Sequence, residues 1–163
     1  MLRVLFICTG NTCRSPMAEV LFRELVQKGK RENEIMSISA GVAAWIDIPA
    51  SWQALEVMKQ QGIDLAKHRA RSLTPELVHA ADLVLTMTEY HKDAVLALVP
   101  EATEKVYTIR EFAAGEAGDV VDPYGASVEV YRECASELSK YLTKSWDKIL
   151  KFTEVNEGKI TST

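Results

Sequence analysis

Residues 1–19 read MLRVLFICTGNTCRSPMAE, and within them CTGNTCRSP, residues 8–16, changes character twice. An apolar run ends at Cys8, and Ser15-Pro16 opens a segment of helical spacing, proline being suited to a first helical turn. Strand, short glycine-containing loop and helix, in that order, make the first half of a βαβ unit. The loop then sits at the carboxyl end of a parallel strand, where open α/β sheets hold their ligands.

The alternation continues along the chain. Apolar, β-branched runs at 3–8, 36–40, 83–87 and 106–109 read as strands, and 16–28, 51–61, 75–80 and 90–98 as helices, several opened by Ser, Thr or Pro. Gly62 stops the second helix. From Ser127 the apolar positions Val128, Tyr131, Ala135, Leu138, Leu142 and Ile149 recur at helical spacing, which predicts a long amphipathic helix. Packing of that stripe on the sheet is the expectation; a coiled-coil partner helix is the alternative. The expected fold class is α/β: a three-layer sandwich with a small, about four-stranded parallel sheet and helices on both faces, flavodoxin- or Rossmann-like. Residues 1–152 are expected to form one domain, and 153–163, TEVNEGKITST, a polar tail that frays.

Composition narrows the function classes. The chain has 163 residues, and 19 basic against 23 acidic side chains give a formal charge of −4 with no basic block, which argues against a nucleic-acid partner. The apolar run 4–8 is shorter than the core of a signal peptide, roughly 7–15 residues, and no run approaches the ~18 of a membrane span. A cytoplasmic monomer without a membrane partner is the expectation. Cys8, Cys13 and Cys134, three cysteines with no export signal, do not suggest a disulfide framework.

The loop itself suggests a chemistry. Backbone N–H groups of Thr9, Gly10, Asn11, Thr12 and Cys13, together with the helix start at Ser15, converge on one point and form a cradle for an anion, phosphate above all. The same field favours a thiolate over a thiol, which makes Cys8 a candidate nucleophile. Arg14 can fold back and grip two oxygens of a tetrahedral anion with its planar fork. Gly10 and Asn11 are residue types that accept the left-handed backbone needed to turn N–H groups inward.

With these residues in view, CTGNTCRSPMAE resembles the active-site loop of the low-molecular-weight protein tyrosine phosphatase family. The likeness extends in family order to SAG at 39–41, HRARSL at 68–73, ADLVLTMT at 81–88 and DPYG at 122–125. The resemblance implies that Cys8 forms a phosphocysteine intermediate and that Arg14 stabilises the transition state. It implies that Ser15 assists departure of the thiolate, and that Asn11, Ser39 and His68 pin the loop through side-chain hydrogen bonds. No metal or other cofactor is implied, and the partners are phosphorylated protein substrates.

A general acid is also needed, and Asp122 in GDVVDPYG is the candidate because the following proline and glycine mark a rigid loop. Asp119 competes, but only Asp122 matches the family motif. Tyr124 is expected to wall the pocket, with Trp45 on the other side, unless either merely packs. Thr12 is the informative departure: tyrosine phosphatases of this family usually carry a branched aliphatic residue there, and the threonine version resembles the bacterial protein-arginine phosphatases. A phosphorylated guanidinium needs a polar rim and a carboxylate, which Thr12 and Asp122 offer. Phosphoarginine is therefore the expected substrate and phosphotyrosine the alternative. The family also implies that Cys13 can pair with an oxidised Cys8, making the enzyme redox-sensitive.

Three rival chemistries each require something the sequence lacks or lack something it has. An arsenate reductase on the same fold needs two further relay cysteines, and only Cys134 is left, within the last helix. A phosphocysteine carrier of a sugar phosphotransfer system should lack an acid such as Asp122. A redox or metal module fits poorly, because Cys8 and Cys13 have neither Cys-x-x-Cys spacing nor nearby histidines in sequence, His79 and His91 being distant.

Overall fold

The structure, a computed structural model, describes the backbone of residues 1–160 and the side chains of residues 1–155. Strands β1 (Leu2–Cys8), β2 (Ile35–Gly41), β3 (Leu83–Thr86) and β4 (Val106–Thr108) form one parallel sheet in the order β2-β1-β3-β4. Helix α1 (Arg14–Lys28) links β1 to β2, while α2 (Trp52–Gln60) and α3 (Pro75–Ala80) precede β3. Helix α4 (Glu89–Leu98) and a 3₁₀ helix (Pro100–Lys105) lead to β4, and α5 (Ile109–Ala114) and α6 (Val128–Ile160) follow it. From β1 the chain winds outward to β2 and then crosses back to β3 on the other side. The winding thus reverses at β1, and a crevice opens at the carboxyl ends of β1 and β3.

The two-residue period of the strands divides the core. Leu2, Val4 and Phe6 join Leu83 and Leu85 on one face, covered by Met17, Leu21 and Phe22 of α1 and by Tyr131, Ala135, Leu138, Leu142 and Ile149 of α6. Leu5, Ile7, Val84 and Val106 point the other way and meet Val78 of α3 and Val95 of α4. Each fully buried aliphatic or aromatic side chain contributes about 1.5–3 kcal/mol. Aromatic rings thread the first layer: Phe6 meets Phe22 edge-on at 5.6 Å, and Phe22 meets Trp146 at 6.2 Å.

The three-layer arrangement agrees with the sequence expectation; most boundaries shift by a residue, and three differences are larger or more telling. Helix α1 starts at Arg14, ahead of Pro16, so the arginine lies in the first turn with its backbone already helical. Residue Ile109 starts α5 rather than ending β4, because the Thr108 hydroxyl caps the helix by accepting from the Glu111 N–H at 3.1 Å. Helix α6 does not stop at 152 but runs to Ile160, so residues 153–160 are helical and not a fraying tail; 161–163 lie outside the described residues. Thr153 is buried, and its hydroxyl donates to the Leu150 carbonyl at 2.6 Å, which ties the extension to the preceding turn. Among the described residues no helix is long and apolar enough to cross a membrane.

Candidate active site

The loop between β1 and α1 is built around Asn11, which takes the left-handed conformation at φ +55° and is fully buried. That backbone costs energy for a non-glycine residue, and the side chain offsets it by satisfying every polar group it has. Its Nδ2 donates to Ser15 Oγ and to Ser39 Oγ, both at 2.9 Å, while its Oδ1 accepts from the Arg71 N–H at 3.0 Å. Its backbone carbonyl accepts from His68 Nε2 at 2.7 Å. A carbonyl can only accept, so His68 carries its proton on Nε2. Burial holds the His68 pKa below the usual imidazole value despite that hydrogen bond. Ser39 passes the chain onward, donating to Glu19 Oε2 at 2.8 Å.

Ser15 Oγ accepts from Asn11, and its own proton is thereby free for Cys8 Sγ, 2.9 Å away. The sulfur therefore faces a donor. Glycine at 41 is required by close approach: a Cβ there would stand 2.5 Å from the Thr9 carbonyl oxygen and 2.9 Å from the Asn11 nitrogen. The Val42 and Ala43 N–H groups, donating to the carbonyls of Cys8 and Thr9 at 3.0 and 2.9 Å, stitch the loop to the chain leaving β2.

Arg14 is buried and is aimed by the segment after α5. Its Nη1 donates to the Val120 carbonyl at 2.9 Å, and its Nη2 lies 3.5 Å from Asp122 Oδ2. Val120 is itself fixed by donation of its N–H to the Met87 carbonyl at 2.9 Å. Asp122 is half exposed and accepts from the Tyr124 N–H at 3.1 Å, the short turn that its proline and glycine neighbours anticipate. Cys8, Thr9, Gly10, Thr12, Cys13, Arg14, Asp122 and Tyr124 line one cavity of about 210 Å³. A carboxylate, a guanidinium and a sulfur thus face one small volume, an arrangement suited to transfer of a tetrahedral anion between sulfur and an oxygen or nitrogen.

Most of the residues singled out in the sequence meet here, with Ser39 and His68 behind the loop. Two do not. Asp119 is not on the cavity lining and accepts the Glu89 N–H of α4 at 2.9 Å. Trp45, expected as a wall, is 79% exposed and lies outside the cavity lining, because the turn after β2 carries it outward. Cys13 is a free thiol 3.1 Å from the Tyr131 hydroxyl and 3.6 Å from Ser51 Oγ. Burial and that sulfur raise the Tyr131 pKa well above the usual phenol value.

Sequence reasoning missed two partners of the loop. Tyr131 reads in the sequence as one more apolar position of a helix stripe, and only its hydroxyl distinguishes it. His91, fully buried on α4, touches Thr9 Oγ1 through Nε2 at 2.8 Å and Thr88 Oγ1 through Nδ1 at 2.9 Å. Its sequence signal was the capped helix start TEYH, which places a histidine in the first turn facing the sheet.

The family model described as low molecular weight phosphotyrosine protein phosphatase matches residues 3–156. A protein-arginine-phosphatase of Geobacillus stearothermophilus is 41% identical over 90% of this chain and 95% of its own length. The crystal structure of a low-molecular-weight protein tyrosine phosphatase from T. tengcongensis is 47% identical, with a TM-score of 0.86, covering 91% of this chain and 99% of that one. A structure of the arginine phosphatase YwlE, a cysteine-to-serine mutant with a phosphorylated active-site serine, is 38% identical at a TM-score of 0.86, covering 92% and 96% of the two chains.

Proposed function

Given that the chain belongs to the low-molecular-weight phosphotyrosine protein phosphatase family, we propose that it hydrolyses phosphoarginine in proteins through a phosphocysteine at Cys8. The observation that carries the reading is the joint presence of Thr12 and Asp122 on the cavity that holds Cys8 and Arg14. A guanidinium bearing a phosphoryl group is planar and cationic, and it finds a hydroxyl and a carboxylate at the rim. The similarity to relatives named protein-arginine-phosphatase supports the same substrate.

The steps follow from the geometry. The Cys8 thiolate attacks phosphorus in line, the P–N bond breaks, and protonated Asp122 gives its proton to the departing nitrogen. Arg14 and the loop N–H groups hold the equatorial oxygens where charge spreads. Asp122, now a carboxylate, takes a proton from water as that water attacks the phosphocysteine. The S–P bond breaks, phosphate leaves, and Ser15 receives the returning sulfur charge with its hydroxyl proton. The proposal needs no metal. It includes a cytoplasmic monomer acting on phosphorylated proteins through a single phosphatase domain.

Phosphotyrosine is the second reading, favoured by the Tyr124 side chain on the cavity lining and by the tyrosine phosphatase named above. A side-by-side assay on phosphoarginine and phosphotyrosine peptides with a chelator present decides. The expected result is a higher kcat/KM on phosphoarginine, unchanged by the chelator. A preference for phosphotyrosine transfers the proposal to that substrate, and loss of activity with chelator ends the metal-free mechanism.

A further inference from the structure

His91 is a buried titratable side chain that the mechanism above leaves without a task, yet it touches the cavity lining. We propose that His91 is a positioning residue: its Nε2–H donates to Thr9 Oγ1 and leaves the Thr9 hydroxyl proton free to hydrogen-bond the phosphoryl group of the substrate.

The direction of the hydrogen bonds carries this. Thr88 Oγ1 caps α4 by accepting the His91 backbone N–H at 3.1 Å, and the same oxygen lies 2.9 Å from His91 Nδ1. Nε2 lies 2.8 Å from Thr9 Oγ1. A neutral imidazole donates from one nitrogen and accepts at the other, so two arrangements exist. In the first, the Thr88 hydroxyl donates to Nδ1, Nε2–H donates to Thr9, and the spare proton of the run is that of Thr9. In the second, Nδ1–H donates to Thr88, Thr9 donates to Nε2, and the spare proton is stranded on Thr88. Thr88 is half-buried behind the loop, whereas Thr9 is exposed and lines the cavity beside Cys8 and Arg14. The first arrangement delivers the proton to the place where an anion sits, and an anion bound there reinforces it.

The ring's surroundings keep it neutral for this purpose. Burial and the positive charge of Arg14 outweigh the carboxylates of Asp119 and Asp122 and hold the His91 pKa at about 4. A neutral ring can accept from Thr88 while donating to Thr9; a doubly protonated one would set two donors against Thr88. The Tyr90 ring lies edge-on beside the imidazole at 6.0 Å between centroids.

The inference rests on the phosphatase reading but not on the choice between phosphoarginine and phosphotyrosine, and its test uses substrates neutral to that choice. Inhibition by inorganic phosphate and turnover of an aryl phosphate are measured for wild type, Thr9→Val, His91→Leu, His91→Gln and the Thr9→Val/His91→Leu double variant. Loss of one hydrogen bond to a charged group predicts that Thr9→Val raises the phosphate inhibition constant about tenfold. His91→Leu should do the same, and the double variant should be no worse than either single one, because both remove one contact. His91→Gln, which keeps a donor near the Nε2 position, should recover most of the phosphate affinity, a recovery that a purely structural role would not produce at equal Tm. Additive losses, or an unchanged inhibition constant in Thr9→Val, overturn the proposal. So does a His91→Gln variant that matches wild type in Tm and His91→Leu in phosphate inhibition. An inactive wild type on aryl phosphate would instead remove the phosphatase reading itself.

Discussion

Asp122 is the residue on which the proton bookkeeping turns, and its rival Asp119 stands only three positions earlier. The two carboxylates do different work: Asp122 faces Arg14 across 3.5 Å, while Asp119 accepts the Glu89 N–H at the start of α4. Asp122→Ala is therefore expected to slow turnover by about 10²–10⁴-fold, most for substrates with poor leaving groups. Asp119→Ala should act mainly through Tm. Steady-state kinetics of the two variants across a series of aryl phosphates checks the assignment, and the reverse pattern would make Asp119 the acid. Thr12 carries the substrate choice. Its hydroxyl lies 3.6 Å from Cys13 Sγ, and its carbonyl accepts the Ser51 N–H at 2.9 Å, so its backbone is held while its side chain reaches the rim. Thr12→Ile adds a methylene-sized apolar surface and removes a polar contact, a change typically worth about 10–200-fold in discrimination. The ratio of kcat/KM on phosphoarginine to that on phosphotyrosine should fall at least tenfold. A parallel loss on both substrates would make Thr12 a loop residue only.

At the scale of elements, the site is a strand end and a helix start held by a brace from β2. Gly41 closes that brace. Gly41→Ala would drive a methyl against the Thr9 carbonyl and the Asn11 nitrogen, so the loop must shift. An overpacking cost of about 1–3 kcal/mol is expected in urea unfolding, with at least a tenfold weaker inhibition by inorganic phosphate. Intact phosphate binding in that variant would show that the cradle tolerates displacement. The β1–loop–α1 unit was legible because periodicity, glycine and proline all changed at its borders; Cys8 and Arg14 share that loop, and Asp122, singled out by the family motif and its Pro-Gly neighbours, joins them on one cavity. Helix α5 was not legible, since Val106–Thr108 and Ile109 form one apolar run and only the Thr108 hydroxyl marks the break. Trp45 looked like a pocket wall because aromatic residues near active loops often are. Nothing local in the sequence tells which way a turn will throw such a side chain. His91 and Tyr131 were invisible as site residues because their contacts with the loop span 82 and 118 positions of sequence.

Across the whole molecule, two imidazoles, His91 buried and His68 half-buried, are held toward their neutral form. His91 has its pKa held at about 4 against an ordinary 6.5, and that of His68 is also lowered, each mainly by burial. In the unfolded chain both take a proton as pH falls below about 6.5, whereas the folded protein refuses it at His91 until about pH 4. Stability is thus unaffected by these groups above pH 7 and falls through the interval between 6.5 and 4. The His91 share is on the order of 3 kcal/mol by linkage. Urea unfolding between pH 7.5 and 4.5 should show this loss, and His91→Gln should flatten it; an unchanged slope would mean that other groups govern acid sensitivity. The position of α6 has a further consequence for the order of synthesis. The catalytic loop is synthesised more than a hundred residues before the helix whose Tyr131 meets Cys13 and whose Ala135, Leu138 and Leu142 cover the sheet face. Until α6 is made, the sheet face it covers lies open and Cys13, next to the catalytic Arg14, lacks its Tyr131 neighbour. A nascent chain should remain catalytically silent until α6 has been made and has docked, so that the order of synthesis delays the activity of the loop.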